Sequence, residues 1–312
     1  MINYIYFTMI SCTIMGGLGN QMFQIFAMMA YGIIKNVKVV FPYEYQINDR
    51  YTYWETFLND FKLFTTGNEA NQLSNEDIAN FHLYNEQGFG YNPFPDFGDN
   101  NVRAHGFFQS YKYFENVKET IFKIMRLDDK KRDVKQKYSG YFWGDSDDAS
   151  CDNADIISIH FRLGDYKRKR YYHPVMNYEY FEGALDHIMA NKRATEKTRL
   201  LYYCESEDNE FVGNYIRRLN EKYPVLEALK VDDNIPDYDQ MMIMSCSQHN
   251  IMSNSTFSWW GAYLNSYVDK IVCYPSVWFG EYYEHTHDHR DMMPDSWTKI
   301  TSKPIPWDQP LV

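Results

Sequence analysis

His160 and Arg162 are the two residues of this chain whose types and spacing speak most directly of chemistry. They lie two apart in His160-Phe161-Arg162-Leu163-Gly164-Asp165-Tyr166, at the end of an apolar run, Ile156 to Phe161, that reads as a strand. Side chains alternate along a strand, so positions two apart share a face. An imidazole and a guanidinium are therefore expected side by side at a strand end. A guanidinium is a permanent cation with a planar fork of donors, which suits a departing diphosphate. Asp165 can orient either neighbour or accept a proton. A structural Arg–Asp pair beside a core histidine accounts for the same residues. Lys167-Arg168-Lys169-Arg170 follows directly, and such a run either steers an anion or forms a solvated loop.

Two further stretches have similar potential. Gly16-Gly17-Leu18-Gly19-Asn20-Gln21 reads as a tight turn whose N–H groups can face an anion at a helix N-terminus, although a plain strand-to-helix turn has the same spelling. Asn254-Ser255-Thr256-Phe257-Ser258-Trp259-Trp260-Gly261 sets hydroxyls just ahead of a helix, where they cap it or hold a phosphate. The paired tryptophans read as core.

These stretches need elements to position them. Ile5 to Met15 reads as a strand, a helix is expected from Gln21 through Ile34, and Val37 to Phe41 reads as a second strand. Residues 50–140 alternate aromatic clusters with polar loops, with a helix over Glu115 to Leu127. Gly144 to Asn153 is acidic and apolar-poor, and reads as a linker or surface loop. A second series follows: strands at Ile156–Phe161, Leu200–Cys204, Asn250–Met252 and Ile271–Tyr274, with helices at Tyr178–Ala190, Glu210–Leu219, Asp239–Cys246 and Phe257–Leu264. Alternation of this kind implies a parallel sheet covered by helices. Ligands of open parallel sheets bind beyond the carboxyl ends of the strands, and the three stretches above each occupy such an end.

The bulk composition narrows the field. The chain has 312 residues, 45% hydrophobic and 18% aromatic, with 28 Tyr and 21 Phe, a globular composition whose aromatics read mostly as core or half-buried surface, although a sugar-binding cleft also uses aromatic faces. A net charge of -11 argues against a general nucleic-acid binder. Five cysteines without a C-x-x-C pair read as free thiols in a reducing compartment. Met1 to Met15 is too short and too polar to span a bilayer, which takes about 20 apolar residues. It also lacks the basic start of a signal peptide.

GGLGNQMFQ at 16–24, HFRLGDY at 160–166 and NSTFSWWGAYLN at 254–265 resemble, in order and spacing, the three signature stretches of the α-1,2-fucosyltransferases, glycosyltransferase family 11. HGFFQSYKYF at 105–114, HPVMNYEYF at 173–181, CESEDNEF at 204–211, YPSVWFG at 274–280 and PDSWTKI at 294–300 extend the resemblance over nearly the whole chain. It implies an α/β, GT-B-like fold with two Rossmann-like domains facing a cleft: an acceptor-side domain over 1–150, and a GDP-fucose-binding domain with a C-terminal tail over 151–312. It implies inverting transfer of L-fucose from GDP-β-L-fucose to the 2-hydroxyl of a galactose in an acceptor glycan. Arg162, His160 and Asp165 are then the catalytic candidates. Gly17, Leu18, Gly19, Asn20, His160, Arg162, Ser255, Thr256 and Phe257 become donor contacts.

Many relatives carry a second Arg where this chain has Leu163, which should point away from Arg162. No cofactor or metal is implied, and Asp145-Ser146-Asp147, which spells a metal-binding D-x-D, reads as linker. Bacterial members are soluble, so an unanchored cytoplasmic protein is expected. Two alternatives stay open: an enzyme resembling the protein O-fucosyltransferases, and a non-catalytic GDP-sugar or glycan-binding protein.

Overall fold

The computed structural model describes residues 8–143 and 154–311, arranged in two compact units. One comprises Met1–Asp128 with Thr286–Pro294, the other Asp129–His285 with Asp295–Val312. Among the described residues no helix is long and apolar enough to cross a membrane.

The first unit opens with β1 (Met9–Cys12), α1 (Leu18–Lys35) and β2 (Lys38–Val39). A small antiparallel pair, β3 (Gln46–Ile47) and β4 (Arg50–Tyr51), follows, then α2 (Asn75–Ala79), β5 (His82–Asn85), β6 (Val102–His105) and α3 (Lys118–Ile124). β2, β1, β6 and β5 form a parallel sheet in that order. α1 is buried without a break from Gln21 to Gly32, which explains why its apolar residues spread beyond a single stripe. It ends at Asn36, whose left-handed backbone, φ 53°, returns the chain toward β2.

In the second unit α4 (Leu127–Lys137) leads to β7 (Ala154–His160), α5 (Tyr178–Asn191), β8 (Lys197–Tyr203) and α6 (Asn209–Lys222). β9 (Leu226–Lys230), α7 (Asp237–Ser245), β10 (His249–Ile251), α8 (Thr256–Tyr263), β11 (Val272–Pro275) and β12 (Thr298–Ile300) complete it. All six strands are parallel, in the order β12-β11-β10-β7-β8-β9. Strand order reverses between β7 and β10. A crevice opens at such a reversal because the connections leave toward opposite faces. The core beside it is aromatic: Trp259 and Trp260 are fully buried, and a Cβ on Gly261 would overlap the Met244 side chain, so α7 and α8 pack at close range.

Several elements differ from the sequence expectation. α1 starts at Leu18 rather than Gln21, so Leu18, Gly19 and Asn20 are its first turn and not a loop. The expected helix over Glu115 to Leu127 is broken at Arg126, φ 55°, dividing α3 from α4. β3, β4, β5, β6, β9 and β12 stand where no strand was expected. β12 comes from the tail and pairs with β11. The stretch Gly144 to Asn153, with Asp145 and Asp147, lies outside the described residues.

Candidate functional site

His160 is the last residue of β7, at the reversal of the second sheet. Its ring is buried, Nδ1 lies 3.2 Å from the Ser253 hydroxyl at the end of β10, and its ring centroid is 5.4 Å from that of Phe257. The second and third sequence stretches are thus brought together by adjacency of β7 and β10. Burial, helped by the nearby Arg162 charge, pushes the His160 pKa down to about 3. The imidazole is therefore neutral at ordinary pH, a hydrogen-bonding group and a weak base.

Arg162 follows just beyond the strand with its side chain only partly exposed. Its fork is divided between two carboxylates: NH2 donates to Asp165 Oδ1, and NH1 donates to Glu205 Oε1 at 3.0 Å. The guanidinium also lies over the Tyr166 ring, 4.7 Å from its centre, and Tyr166 stacks on His173 at 4.8 Å. Leu163 points the other way and is buried in the core beneath the sheet.

The loop is held from below. Gly164 has φ 39°, a conformation in which a side chain is strained, and a Cβ there would press on the Glu205 carboxylate and force it to swing away. Its N–H donates to buried Asp208 Oδ2 at 3.0 Å, and Lys167 Nζ donates to Asp208 Oδ1 at 2.5 Å. The basic run is thus largely engaged. Lys167 also pairs with Glu207 at 2.8 Å, Lys169 with Asp165 at 3.4 Å, and Arg170 donates to the Pro306 carbonyl at 2.9 Å. Arg168 is exposed.

At the third stretch, Asn254 is buried and donates to the carbonyls of Pro174 and Trp278. Ser255 occupies the N-cap position of α8, yet its side chain makes no capping hydrogen bond. Thr256 and Phe257 begin the helix half-buried. A helix end left uncapped by its own side chain keeps its first N–H groups available to an anion.

In the first unit Gly16, φ 76°, makes the turn out of β1, and Gly17 is the N-cap of α1, again with no side-chain cap. Two buried glutamines fix the turn. Gln24 accepts from the Met15 N–H at 2.9 Å and donates back to its carbonyl at 3.3 Å, while Gln21 donates to the carbonyls of Gly16 and Tyr51. Leu18 and Gly19 are buried, and Asn20 Oδ1 accepts from Gln109 at 2.8 Å. That bond joins the turn after β1 to the one after β6, the neighbouring strand. Beside it, Glu86 accepts from the N–H groups of Phe107 and Phe108 at 2.8 and 2.9 Å. Burial nevertheless raises its pKa to about 7.

Glu205, Asp208, Ser253, Gln21 and Gln24 are the supporting residues to which the sequence argument gave no role of their own. The signals for the first two were the acidic run Glu205 to Asp208 after a strand and its place in CESEDNEF, a stretch that the family resemblance covers. Among the described residues no three His, Cys, Asp or Glu side chains gather as a metal site.

A family model for glycosyl transferase family 11 matches residues 7–300. The O-antigen biosynthesis glycosyltransferase WbnK of Escherichia coli is 31% identical over 153 residues, 48% of this chain and 46% of that protein. An α-1,2-colitosyltransferase, also of Escherichia coli, is 29% identical over 204 residues, 64% of this chain and 63% of that protein. The matches thus span about half and just under two thirds of those relatives. Among solved structures, POFUT1 in complex with GDP-fucose aligns with a TM-score of 0.50 at 10% identity, over 86% of this chain and 98% of that one. At that identity the likeness concerns the fold, which is α/β and GT-B-like.

Proposed function

Since the chain belongs to glycosyl transferase family 11, we propose that it moves L-fucose from GDP-β-L-fucose to the 2-hydroxyl of a galactose, inverting the anomeric centre and using no metal. The observation that carries this reading is Arg162 at the reversal of the second sheet, half-exposed beside neutral His160 and the uncapped start of α8. In a single displacement at C1 of the sugar, the main demand is to stabilise charge developing on the β-phosphate. A guanidinium fork and helix N–H groups do this electrostatically. In this scheme Ser255, Thr256 and Phe257 are the donor contacts of the second unit, and the turn Gly17 to Asn20 is the donor contact of the first. His160 hydrogen-bonds without taking up charge, and Asp165 with Glu205 orients Arg162. The relative named α-1,2-colitosyltransferase supports the linkage, and also a second reading in which the linkage is kept and colitose is the sugar moved.

The test is transfer to a β-galactoside with each donor sugar in turn, followed by NMR of the product and repeated in excess EDTA. The expected product is α-1,2-fucosylated, at a rate EDTA leaves unchanged. A product linked elsewhere, or transfer only to protein Ser or Thr, overturns the acceptor assignment. Activity lost in EDTA and restored by manganese overturns the metal-free scheme.

A further inference from the structure

Three segments of the second unit leave the carboxyl ends of β7, β11 and β12, the end of a parallel sheet that takes ligands. Each brings aromatic rings that the donor scheme does not use. Tyr171 and Tyr172 come from the loop after β7, Tyr282 from the one after β11, and Trp307 from the tail after β12. The rings meet. Tyr171 lies edge-on to Tyr172, Tyr282 and Trp307, with centroids 5.7, 6.0 and 5.6 Å away, and Tyr172 is 4.8 Å from Tyr282. Tyr171, Tyr172, Tyr282 and Trp307 are nevertheless 39, 38, 54 and 51% exposed. Single exposed aromatics are ordinary, whereas four in contact form a patch, and patches mark interaction surfaces.

Backbone contacts hold the patch in place. The Gly280 N–H donates to the Tyr172 carbonyl at 2.8 Å, and the Tyr282 N–H to the Tyr171 carbonyl at 3.3 Å. Gly280 is buried, and a Cβ there would overlap the Tyr171 carbonyl. Arg170 donates to the Pro306 carbonyl, which fixes the chain next to Trp307. Rings fixed beforehand lose little freedom when a ligand arrives. The patch is also continuous with the candidate site. Tyr283 packs on Tyr282 at 5.0 Å and reaches His173 at 6.1 Å, and His173 stacks on Tyr166 beneath Arg162. These three half-buried rings separate the patch from the guanidinium, so a group bound on the patch is not the one that reacts.

The chemistry of the patch selects its partner. Tyr and Trp rings carry hydroxyl or N–H groups at their edges. Exposed Glu281 and Glu284 flank Tyr282 and Tyr283 in the chain. Carboxylates there oppose an anionic bilayer, and charge is depleted from the centre of a protein interface. A pyranose suits the surface, because its C–H face packs on a ring while its hydroxyls meet polar edges.

We infer that Tyr171, Tyr172, Tyr282 and Trp307 form a platform for a sugar of the acceptor remote from the one that reacts, so that the preferred acceptor is an oligosaccharide and not a single galactoside. The inference rests on the glycosyl-transfer reading but is tested separately from it. Acceptor KM is measured for methyl β-galactoside and for β-1,4-linked galactose oligomers from the dimer to the hexamer. Saturation-transfer NMR with the hexamer is run without donor. Wild type is compared with Tyr282→Ala, Trp307→Ala and a control, Val268→Ala, at an exposed position ahead of β11 and so at the opposite end of the sheet. Circular dichroism checks folding. In wild type, KM should fall roughly 10-fold or more from methyl β-galactoside to hexamer. Val268→Ala should keep that ratio. Each aromatic variant should lose most of it through a raised oligomer KM, and should lose the hexamer signal.

If transfer occurs but wild type shows no preference for length, or the folded aromatic variants keep it, the platform is overturned and the transfer reading stands. A fall in kcat, or an equal rise in KM for methyl β-galactoside, also overturns it. So does sedimentation of wild type, but not Trp307→Ala, with phosphatidylcholine–phosphatidylglycerol vesicles, or a dimer that Trp307→Ala breaks. If no galactoside accepts fucose, yet the hexamer signal is present in wild type and lost in both aromatic variants, the platform stands as a glycan site and the transfer reading fails.

Discussion

Arg162 carries its donor fork into a setting of two carboxylates and a tyrosine ring. Such a frame fixes the plane of the guanidinium, and lysine cannot reproduce a plane. Arg162→Ala is expected to lower the turnover number by roughly 100- to 1000-fold, the usual loss for a missing electrostatic contact to developing charge. Arg162→Lys should recover only a small part of that. Both variants should remain folded, because the side chain is partly exposed and outside the core. Arg168→Ala, at an exposed position, is the control and should stay within a few-fold of wild type. Steady-state kinetics with circular dichroism checks all three, and a folded Arg162→Ala near wild-type rate would refute the phosphate role. His160 and Arg162 were legible in the sequence because strand alternation is local. Glu205 and Asp208 were not, since their link to the loop at 162–167 crosses some forty residues and exists only once β7 and β8 pair.

Among the elements, α1 shows how one turn can mislead. Gly16, Gly17 and Gly19 spell a loop, so the helix was expected three residues late, yet only Gly16 needs glycine for its backbone conformation. At φ 76° a Cβ on Gly16 would also approach the Asn20 side chain, at 2.5 Å from Nδ2. Gly16→Ala should therefore destabilise the protein by about 1–3 kcal/mol. It should also displace Asn20 and raise the KM for GDP-fucose, whereas Gly17→Ala, where a Cβ meets nothing, should do neither. Urea denaturation and donor kinetics on the two variants would decide this, and equal behaviour would count against the strain argument. Two of the strands missed in the sequence show no hydrophobic period to read: β5 is largely exposed, and β12 is three residues of which none is buried, unlike the equally short but wholly buried β10. The central strand β7 is buried along six consecutive positions and announced itself.

For the molecule as a whole, acid and base act on stability through a few buried groups. Folded His160 and His249 resist protonation, with pKa values lowered from 6.5 to about 3 and about 4. The unfolded chain takes up those protons, so stability falls as pH drops below 6.5. Glu86 works the other way: its pKa rises from 4.5 to about 7, so the folded state keeps a proton that the unfolded chain has lost, and stability falls as pH rises through that window. Glu86→Gln removes only the second effect. Its melting temperature relative to wild type should therefore climb from pH 4.5 to pH 7, and a constant offset would show that the carboxyl stays ionised. The basic loop has a consequence of another kind. With Lys167 held by Asp208 and Glu207, Lys169 by Asp165, and Arg162 by Glu205 and Asp165, on a chain of net charge -11, little positive potential extends into solvent. On the proposed reading, the anionic nucleotide donor then arrives by unassisted diffusion and is recognised only on contact. Screening, which acts over about 10 Å at 0.1 M salt, has no attraction to weaken. The association rate constant for GDP, followed by stopped flow, should hold level or rise as sodium chloride is added, and a steep decline would reveal a guiding field that these ion pairs do not leave.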